Sequence, residues 1–175
     1  VDLYLEKTLS GAKAVLIRLL GGVEYWRYGL DEVRALATRT GLAVAVIPGD
    51  GYDDPRLDEA SNLPVSTLRR LKHLTDQGGA VNARAALAQL ALAAGLRAPL
   101  IRGAGDVPRV GLYRPEVGAA CPIGHPILAD TGRPRAVVTF YRSFLTAADT
   151  DPVDRLIAAL EDKGFDAIGL FVPSL

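Results

Sequence analysis

Apolar runs alternate with an amphipathic stretch near the start of the chain. Residues 14–20 form an apolar run in which Arg18 is the one charged residue. Such a run is typical of a strand covered on both faces. Residues 42–47 form a second run of the same kind. Between them, apolar residues recur at helical spacing before Gly41, at Leu30, Val33, Leu36 and Ala37. Strand, helix and strand with short connections predict a βαβ unit with parallel pairing and a right-handed crossover.

Two further helices are predicted after this unit. The first begins near Pro64 and ends at a Gly-Gly pair, with apolar residues at Val65, Leu68, Leu71 and Leu74. The second takes Asn82 as its N-cap and ends at Gly95, with an apolar face of Leu87, Leu90, Ala91 and Ala94. We assign both helices to the first domain, as additions to its βαβ unit.

A second βαβ unit is predicted near the end of the chain. Residues 136–152 are interpreted as a buried strand that runs into a polar loop. A helix follows, with Asp151 as N-cap, Pro152 at its first position and an apolar face of Val153, Leu156, Ile157 and Leu160. Residues 167–172 form the closing strand. One βαβ unit cannot bury both faces of its sheet, so either it packs on the first unit or, as we expect, it is truncated.

The segment between the two units has a different composition. Eleven of residues 103–134 are glycine or proline, which favours a connector over a packed element, although residues 110–113 are a candidate short strand. The predicted organisation is a first α/β domain over 1–102, a connector over 103–134 and the start of a second α/β domain over 135–175. The fold class is α/β, with parallel strands of the Rossmann or flavodoxin-like kind.

Charge and composition narrow the possible functions. The chain has 20 basic and 20 acidic residues, and this balance argues against a sequence-independent nucleic-acid binder. No apolar run is long enough to span a bilayer, and no signal peptide is recognisable, so we expect a cytoplasmic protein. Cys121 is the single cysteine and there is no methionine, so we also expect this chain to be part of a longer one.

Polar residues follow two of the predicted strands, at the edge where open α/β sheets bind ligands. Arg142, Ser143, Asp149 and Thr150 follow the strand of the second unit, and Asp50 follows the second strand of the first. Arg142 and Asp149 form either an ion pair that closes the loop or a site in which Arg142 binds a carboxylate ligand. Asp50, with Asp53, Asp54 and Asp58, suits a general base or a hard-cation ligand, but aspartate also caps helices and forms turns.

Other candidate chemistry is weaker. Gly21 and Gly22 follow the first strand, but they do not open directly into a helix as a dinucleotide-binding turn does. The chain has no Gly-x-x-x-x-Gly-Lys-Ser/Thr sequence, so ATP hydrolysis by a P-loop is not expected. Cys121 and His125 lie four residues apart and are weak candidates for metal ligands, since a site normally needs three or four. No Ser-His-Asp or Cys-His catalytic set can be assembled from the sequence, so an autonomous hydrolase is not expected.

Several short stretches occur in an order that resembles the large-subunit family of aerobic cobaltochelatases and, more distantly, of magnesium chelatases. They are Arg18-Leu-Leu-Gly-Gly22, Tyr25-Trp26, Tyr28-Gly29-Leu30, Ile47-Pro-Gly-Asp50, Phe140-Tyr-Arg142, Asp149-Thr150, Gly169-Leu-Phe-Val172 and Ser174-Leu175. The likeness covers nearly the whole chain. Ala148 departs from it, because the family pattern has glycine before the Asp-Thr pair.

The resemblance implies an amino-terminal piece of a much longer subunit. Such a subunit holds a corrin-type tetrapyrrole and receives cobalt(II), while separate AAA+ subunits hydrolyse ATP. The implied reaction is insertion of cobalt(II) into hydrogenobyrinic acid a,c-diamide in cobalamin biosynthesis, and this piece alone is expected to be inactive. The alternatives are a magnesium chelatase large subunit that acts on protoporphyrin, and a non-catalytic small-molecule-binding domain of the flavodoxin-like or periplasmic-binding kind.

Overall fold

The computed structural model of the chain describes residues 2–50, 54–120 and 126–173. It is an α/β structure with six strands, seven α-helices and three short 3-10 or π-helical segments in those ranges. The strands are β1 (Ala14–Leu19), β2 (Ala43–Pro48), β3 (Gly111–Arg114), β4 (Gly118–Ala120), β5 (Arg135–Tyr141) and β6 (Asp166–Val172). The helices are α1 (Asp2–Tyr4), α2 (Arg27–Thr40), α3 (Pro55–Glu59), α4 (Val65–Gln77), α5 (Gly79–Ala93), α6 (Arg142–Thr146) and α7 (Asp151–Asp162).

Contacts divide the chain into two compact units. The first comprises residues 1–76 and 81–103, and the second comprises residues 77–80 and 104–175. Each unit contains one of the two predicted parallel strand pairs, and both pairs are confirmed. The three-part division of the chain drawn from composition stays a prediction.

In the first unit, β1 and β2 form a two-stranded parallel sheet with apolar side chains on both faces. Val44 and Val46 face α2, whereas Ala45 and Ile47 face α4 and α5. All six residues of β2 are buried for this reason. The predicted end of α2 is confirmed, because Gly41 has a φ of +71° and donates its N–H to the Ala37 carbonyl.

The predicted N-cap and buried face of α5 are wrong, whereas its predicted end at Gly95, which has a φ of +73°, is confirmed. The helix begins at Gly79, so Asn82 lies inside it and is 2% exposed instead of capping its start. Leu87 is 69% exposed, and the buried face is formed by alanines. Small side chains let a helix approach its neighbours closely, and a stretch rich in both alanine and leucine does not reveal from spacing alone which face is inside. On α4, by contrast, Leu68, Leu71 and Leu74 are buried as predicted.

The second unit contains a four-stranded mixed sheet in the order β4-β3-β6-β5. β5 and β6 pair in parallel over seven residues, and α7 connects them and packs on one face. β3 pairs antiparallel with both β4 and β6. The glycine- and proline-rich segment therefore supplies two strands to this sheet, and the candidate strand at residues 110–113 is observed as β3.

Three expectations for the second unit are corrected. β5 ends at Tyr141, and Arg142 and Ser143, which were expected to lie in a polar loop, begin the short helix α6. β5 is an edge strand among the described strands, so its residues alternate between exposed and covered instead of being buried throughout. Helix α7 has Thr150 at its N-cap, with Asp151 as its first helical residue, and Leu156 is 50% exposed.

None of the helices in the described part of the chain is both long and apolar enough to cross a membrane.

Candidate functional site

The first candidate site lies at the carboxyl ends of β1 and β2, which meet at one edge because the strands are parallel. A cavity of about 420 Å³ opens there. It is lined by Leu19, Gly21, Gly22, Pro48, Asp50, Asp54, Arg56 and Leu57. Gly21 and Gly22 both have positive φ angles, of +79° and +75°, so the turn after β1 takes a form that glycine favours.

Two aspartate carboxylates of the chain accept hydrogen bonds from the backbone amides of this turn. Oδ2 of Asp50 accepts a hydrogen bond of 3.0 Å from the Gly21 amide nitrogen, and Oδ2 of Asp54 accepts one of 3.4 Å from the Val23 amide nitrogen. A Cβ atom at Gly22 would lie 2.8 Å from that Asp54 oxygen. A phosphate at this turn would have to displace carboxylates, so the geometry agrees with the absence of the dinucleotide-binding pattern.

Arg56 organises the polar wall of the cavity. Its Nε and Nη2 bind the two carboxylate oxygens of Asp54 at 3.0 and 2.9 Å, and its Nη1 binds Glu24 at 3.2 Å. Asp54 also caps α3 by accepting a hydrogen bond from the Arg56 amide, which is the capping role expected of aspartate here. The hydrogen bond from Arg56 lowers the pKa of Asp54, and the hydrogen bond and charge of Arg27 lower the pKa of Glu24.

The Arg56–Glu24 pair is largely solvent-exposed and contributes little to stability, whereas Asp54 is only 17% exposed and also accepts hydrogen bonds from the Val23 and Arg56 amides. Asp58 forms a separate ion pair of 2.6 Å with Arg69. Asp53 lies outside the described residues.

The second candidate site follows β5 in the other unit and centres on Arg142. Its Nε donates to the Pro108 carbonyl at 3.0 Å, and its Nη2 donates to the Val107 carbonyl at 2.9 Å and to Oε1 of Gln77 at 3.2 Å. Oε1 of Gln77 also accepts from the Val107 amide at 2.9 Å. Arg142 therefore ties residues 107 and 108 to α6. The proposed ion pair between Arg142 and Asp149 is absent from the contacts of the described residues.

Ser143, Asp149 and Thr150 have distinct environments. Ser143 and Asp149 are exposed, and the Asp149 amide donates to the Phe144 carbonyl at 2.9 Å. Thr150 donates its hydroxyl to Asp154 at 3.0 Å. Between these residues, Ala148 has a φ of +56°, the left-handed conformation that explains why glycine would suit this position.

Tyr113 is a buried residue of β3 whose hydroxyl contacts α7 in the same unit. The Tyr113 hydroxyl donates to Oδ1 of Asp154 at 2.6 Å, while Thr150 binds Oδ2 of the same carboxylate. Burial, reinforced by the hydrogen bond to Asp154, raises the pKa of Tyr113. The Tyr113–Asp154 hydrogen bond holds the start of α7 against β3, and Thr150 supports the Asp154 carboxylate from the same end of the helix.

The described residues contain no group of three or more His, Cys, Asp or Glu side chains placed to hold a metal ion. The weak metal candidates Cys121 and His125 lie outside the described residues, so their pairing stays a prediction.

The sequence analysis did not identify Asp166, which is fully buried at the start of β6. Its carboxylate binds Arg114 through one oxygen and Arg135 through the other, the latter with an Nη2 contact of 2.6 Å. Burial alone would raise the pKa of Asp166, but hydrogen bonds from Arg135 and Arg114 outweigh it and hold the pKa below its ordinary value. The available signal was a single charged residue at the boundary of an apolar run. Such a residue more often lies in solvent at the end of a strand.

Comparisons with known proteins point to one family. A family profile described as CobN/Magnesium Chelatase matches residues 72–175. The chain is 35% identical over 175 residues to an aerobic cobaltochelatase subunit CobN of Pseudomonas aeruginosa, and 33% identical over 184 aligned residues to one of a Sinorhizobium species. Each alignment covers 100% of this chain but 14% of the relative.

A solved structure has the same fold. It is the catalytic subunit of cobaltochelatase from Mycobacterium tuberculosis, which matches with a TM-score of 0.74 at 26% sequence identity. The match covers 99% of this chain and 14% of that one.

Proposed function

This chain belongs to the CobN/magnesium chelatase family, and we propose that it forms part of the large subunit of a cobaltochelatase. The observation that carries the proposal is that both curated relatives, each described as an aerobic cobaltochelatase subunit, align with its full length. The chain spans 14% of each relative, so the proposed activity is that of the larger protein. This chain contributes two α/β units to it.

The proposed reaction is insertion of cobalt(II) into hydrogenobyrinic acid a,c-diamide during cobalamin biosynthesis. Cobalt and the corrinoid are substrates of the whole subunit, and ATP is hydrolysed by separate AAA+ subunits in a cytoplasmic complex. This chain has no P-loop sequence, so the proposal assigns no ATP binding to it.

Insertion of magnesium into protoporphyrin is the second candidate reaction. It is favoured by the description of the matching family, which includes magnesium chelatase. The relatives aligned over the whole chain are described as cobaltochelatase subunits, and we therefore place cobalt first.

Ligand contact by Arg142, Ser143, Asp149 and Thr150 is part of the proposal. Ser143 and Asp149 are exposed, and Nη1 of Arg142 takes no part in the hydrogen bonds of the described residues. This donor remains for a carboxylate or amide oxygen of the corrinoid, although the rest of the guanidinium binds main-chain carbonyls. Asp50 is the corresponding candidate in the first unit, where it faces the cavity beside the Gly-Gly turn.

Titration of the complete gene product with the two pigments tests the proposed function. We expect saturable binding of hydrogenobyrinic acid a,c-diamide, followed by absorbance, with clearly weaker binding of protoporphyrin. A preference for protoporphyrin would replace the cobalt assignment with the magnesium one. Absence of binding to either pigment would instead favour the non-catalytic small-molecule-binding domain.

A further inference from the structure

The two outer edges of the sheet in the first unit differ. Along the outer edge of β2, the side chains of Ser61 and Asn62 take the place of a neighbouring strand. Asn62 accepts from the Val44 amide at 2.7 Å and donates to the Leu42 carbonyl at 2.9 Å, and its own amide donates to the Val44 carbonyl at 3.1 Å. Ser61 accepts from the Val46 amide at 2.9 Å. This edge is closed to another strand.

The outer edge of β1 has no such cover. The Lys13 carbonyl accepts from Ala43 at 3.1 Å, and the Leu19 carbonyl accepts from Gly49 at 2.8 Å. Since the hydrogen-bonding direction of a strand reverses at each residue, the odd-numbered residues of β1 face β2. The N–H and C=O groups of Leu16 and Arg18 therefore point outward, and within the described ranges they bind no partner.

Burial shows the same difference. The first four residues of β1 are apolar but only half-buried, whereas every residue of β2 is buried. Helices nevertheless cover both faces of the sheet, through Val15 and Ile17 on one side and Leu16 on the other. Sheets with helices on both faces are typically all-parallel sheets of several strands, and a sheet of two strands is marginal by itself. Because both faces of β1 are covered, the solvent exposure of its first four residues lies along its outer edge.

We propose that the free edge of β1 binds a further, apolar β-strand, which makes β1 a central strand of a larger sheet. The strand runs parallel to β1, because the continuous apolar pattern of β1 is that of an all-parallel sheet with helices on both faces. The occupant is a segment of the same polypeptide: this chain spans only 14% of its relatives, and a covalently linked strand has a high effective concentration.

Amide hydrogen exchange at single-residue resolution in the complete gene product tests this proposal. We expect the outward amides of Leu16 and Arg18 to exchange at least about 100-fold more slowly than in an unstructured peptide, as do the inward amides of Val15 and Ile17. The inward pair is an internal control, because β2 protects it whether or not another strand is present.

Fast exchange at Leu16 and Arg18 with protected Val15 and Ile17 would overturn the proposal. The mass in solution, measured on the same sample by light scattering, identifies the source of the strand. Protection in a monomer supports the same polypeptide, whereas protection that appears only in a dimer would contradict that assignment. Neither result depends on which tetrapyrrole the protein binds, so the proposed function is tested separately.

Discussion

Gly78 approaches Thr146 so closely that a Cβ atom at residue 78 would lie 2.1 Å from the Thr146 carbonyl oxygen. The φ angle of Gly78 is also positive, at +62°. The contact joins the residues between α4 and α5 to the end of α6 within the second unit. Only glycine satisfies both the backbone conformation and the approach.

Replacing Gly78 by alanine is expected to destabilise the protein by about 3 kcal/mol, from left-handed strain together with the clash against Thr146. Gly79→Ala is the matched control, because Gly79 has a φ of +76° but no atom within 4 Å of the position that a Cβ would take. The control should cost about 1 kcal/mol. Urea unfolding measures both values, and equal losses would show that the Thr146 contact is unimportant.

Asp166→Asn is expected to lower the free energy of unfolding by about 3 kcal/mol at neutral pH, since it leaves Arg114 and Arg135 without their buried partner. The pKa of Asp166 is lowered on folding, so this stabilisation is present above the unfolded pKa of about 4 and is lost on acidification below it. The difference between wild type and variant should therefore shrink toward about pH 3. An unchanged difference at low pH would contradict the linkage. Asp151→Asn, in an exposed pair with Arg155, is the control.

Ala148→Gly is expected to raise the free energy of unfolding by up to about 1 kcal/mol. The left-handed conformation at a φ of +56° costs alanine about 1–2 kcal/mol, and the greater freedom of glycine in the unfolded chain offsets part of this gain. Ala147→Gly is the control, because Ala147 has a φ of −82° and should lose stability. Thermal unfolding of the two variants should shift in opposite directions, and a shared direction would refute the explanation.

Asn62→Ala is expected to cost about 1–2 kcal/mol, because the Val44 amide and the Leu42 carbonyl lose their partner. It should also promote self-association, since the open edge of β2 becomes able to pair with another strand. Ser66→Ala on the exposed part of α4 is the control. Urea unfolding and sedimentation velocity measure the two effects, and an unchanged variant would mean that water replaces the carboxamide without loss.

Arg142→Ala separates anchoring from ligand binding. Loss of charged hydrogen bonds to Val107, Pro108 and Gln77 is expected to cost about 2 kcal/mol of stability. If Nη1 also binds the corrinoid, affinity should fall by a further roughly 1–3 kcal/mol at a temperature where the variant is fully folded.

Arg155→Ala is the matched control for that variant, since Arg155 is 80% exposed and pairs only with Asp151 in the contacts described. Calorimetric titration of the complete gene product with hydrogenobyrinic acid a,c-diamide measures the affinity. Wild-type affinity with reduced stability would restrict Arg142 to its anchoring role.

The local sequence predicted most elements of the fold but not all of their contacts. Both parallel strand pairs follow from apolar runs on either side of a helix, and the end of α2 follows from Gly41. The face of α5 was mistaken because alanine and leucine alternate there with no polar stripe to orient them. Helix α6 was mistaken for loop, because its five residues are too few to show a helical period.

The candidate site shows the same distinction. The sequence alone placed Asp50 and Arg142 at strand ends, because each follows an apolar run that predicts a strand. Their partners are 29 to 65 residues away in sequence, so no local pattern could reveal them. The burial of Asp166 could not be predicted for the same reason. A buried charge needs a paired partner, and its partners Arg114 and Arg135 are distant in sequence.

By itself, the sequence determined the α/β class, the parallel pairs and the family resemblance, because each depends on residue type and local spacing. Tertiary structure alone decided that Arg142 binds carbonyl groups, that Asn62 closes one edge of a sheet and that β1 leaves the other open. Hydrogen-bond partners and free edges are properties of residues brought together by folding, and their separation along the chain carries no periodic signal.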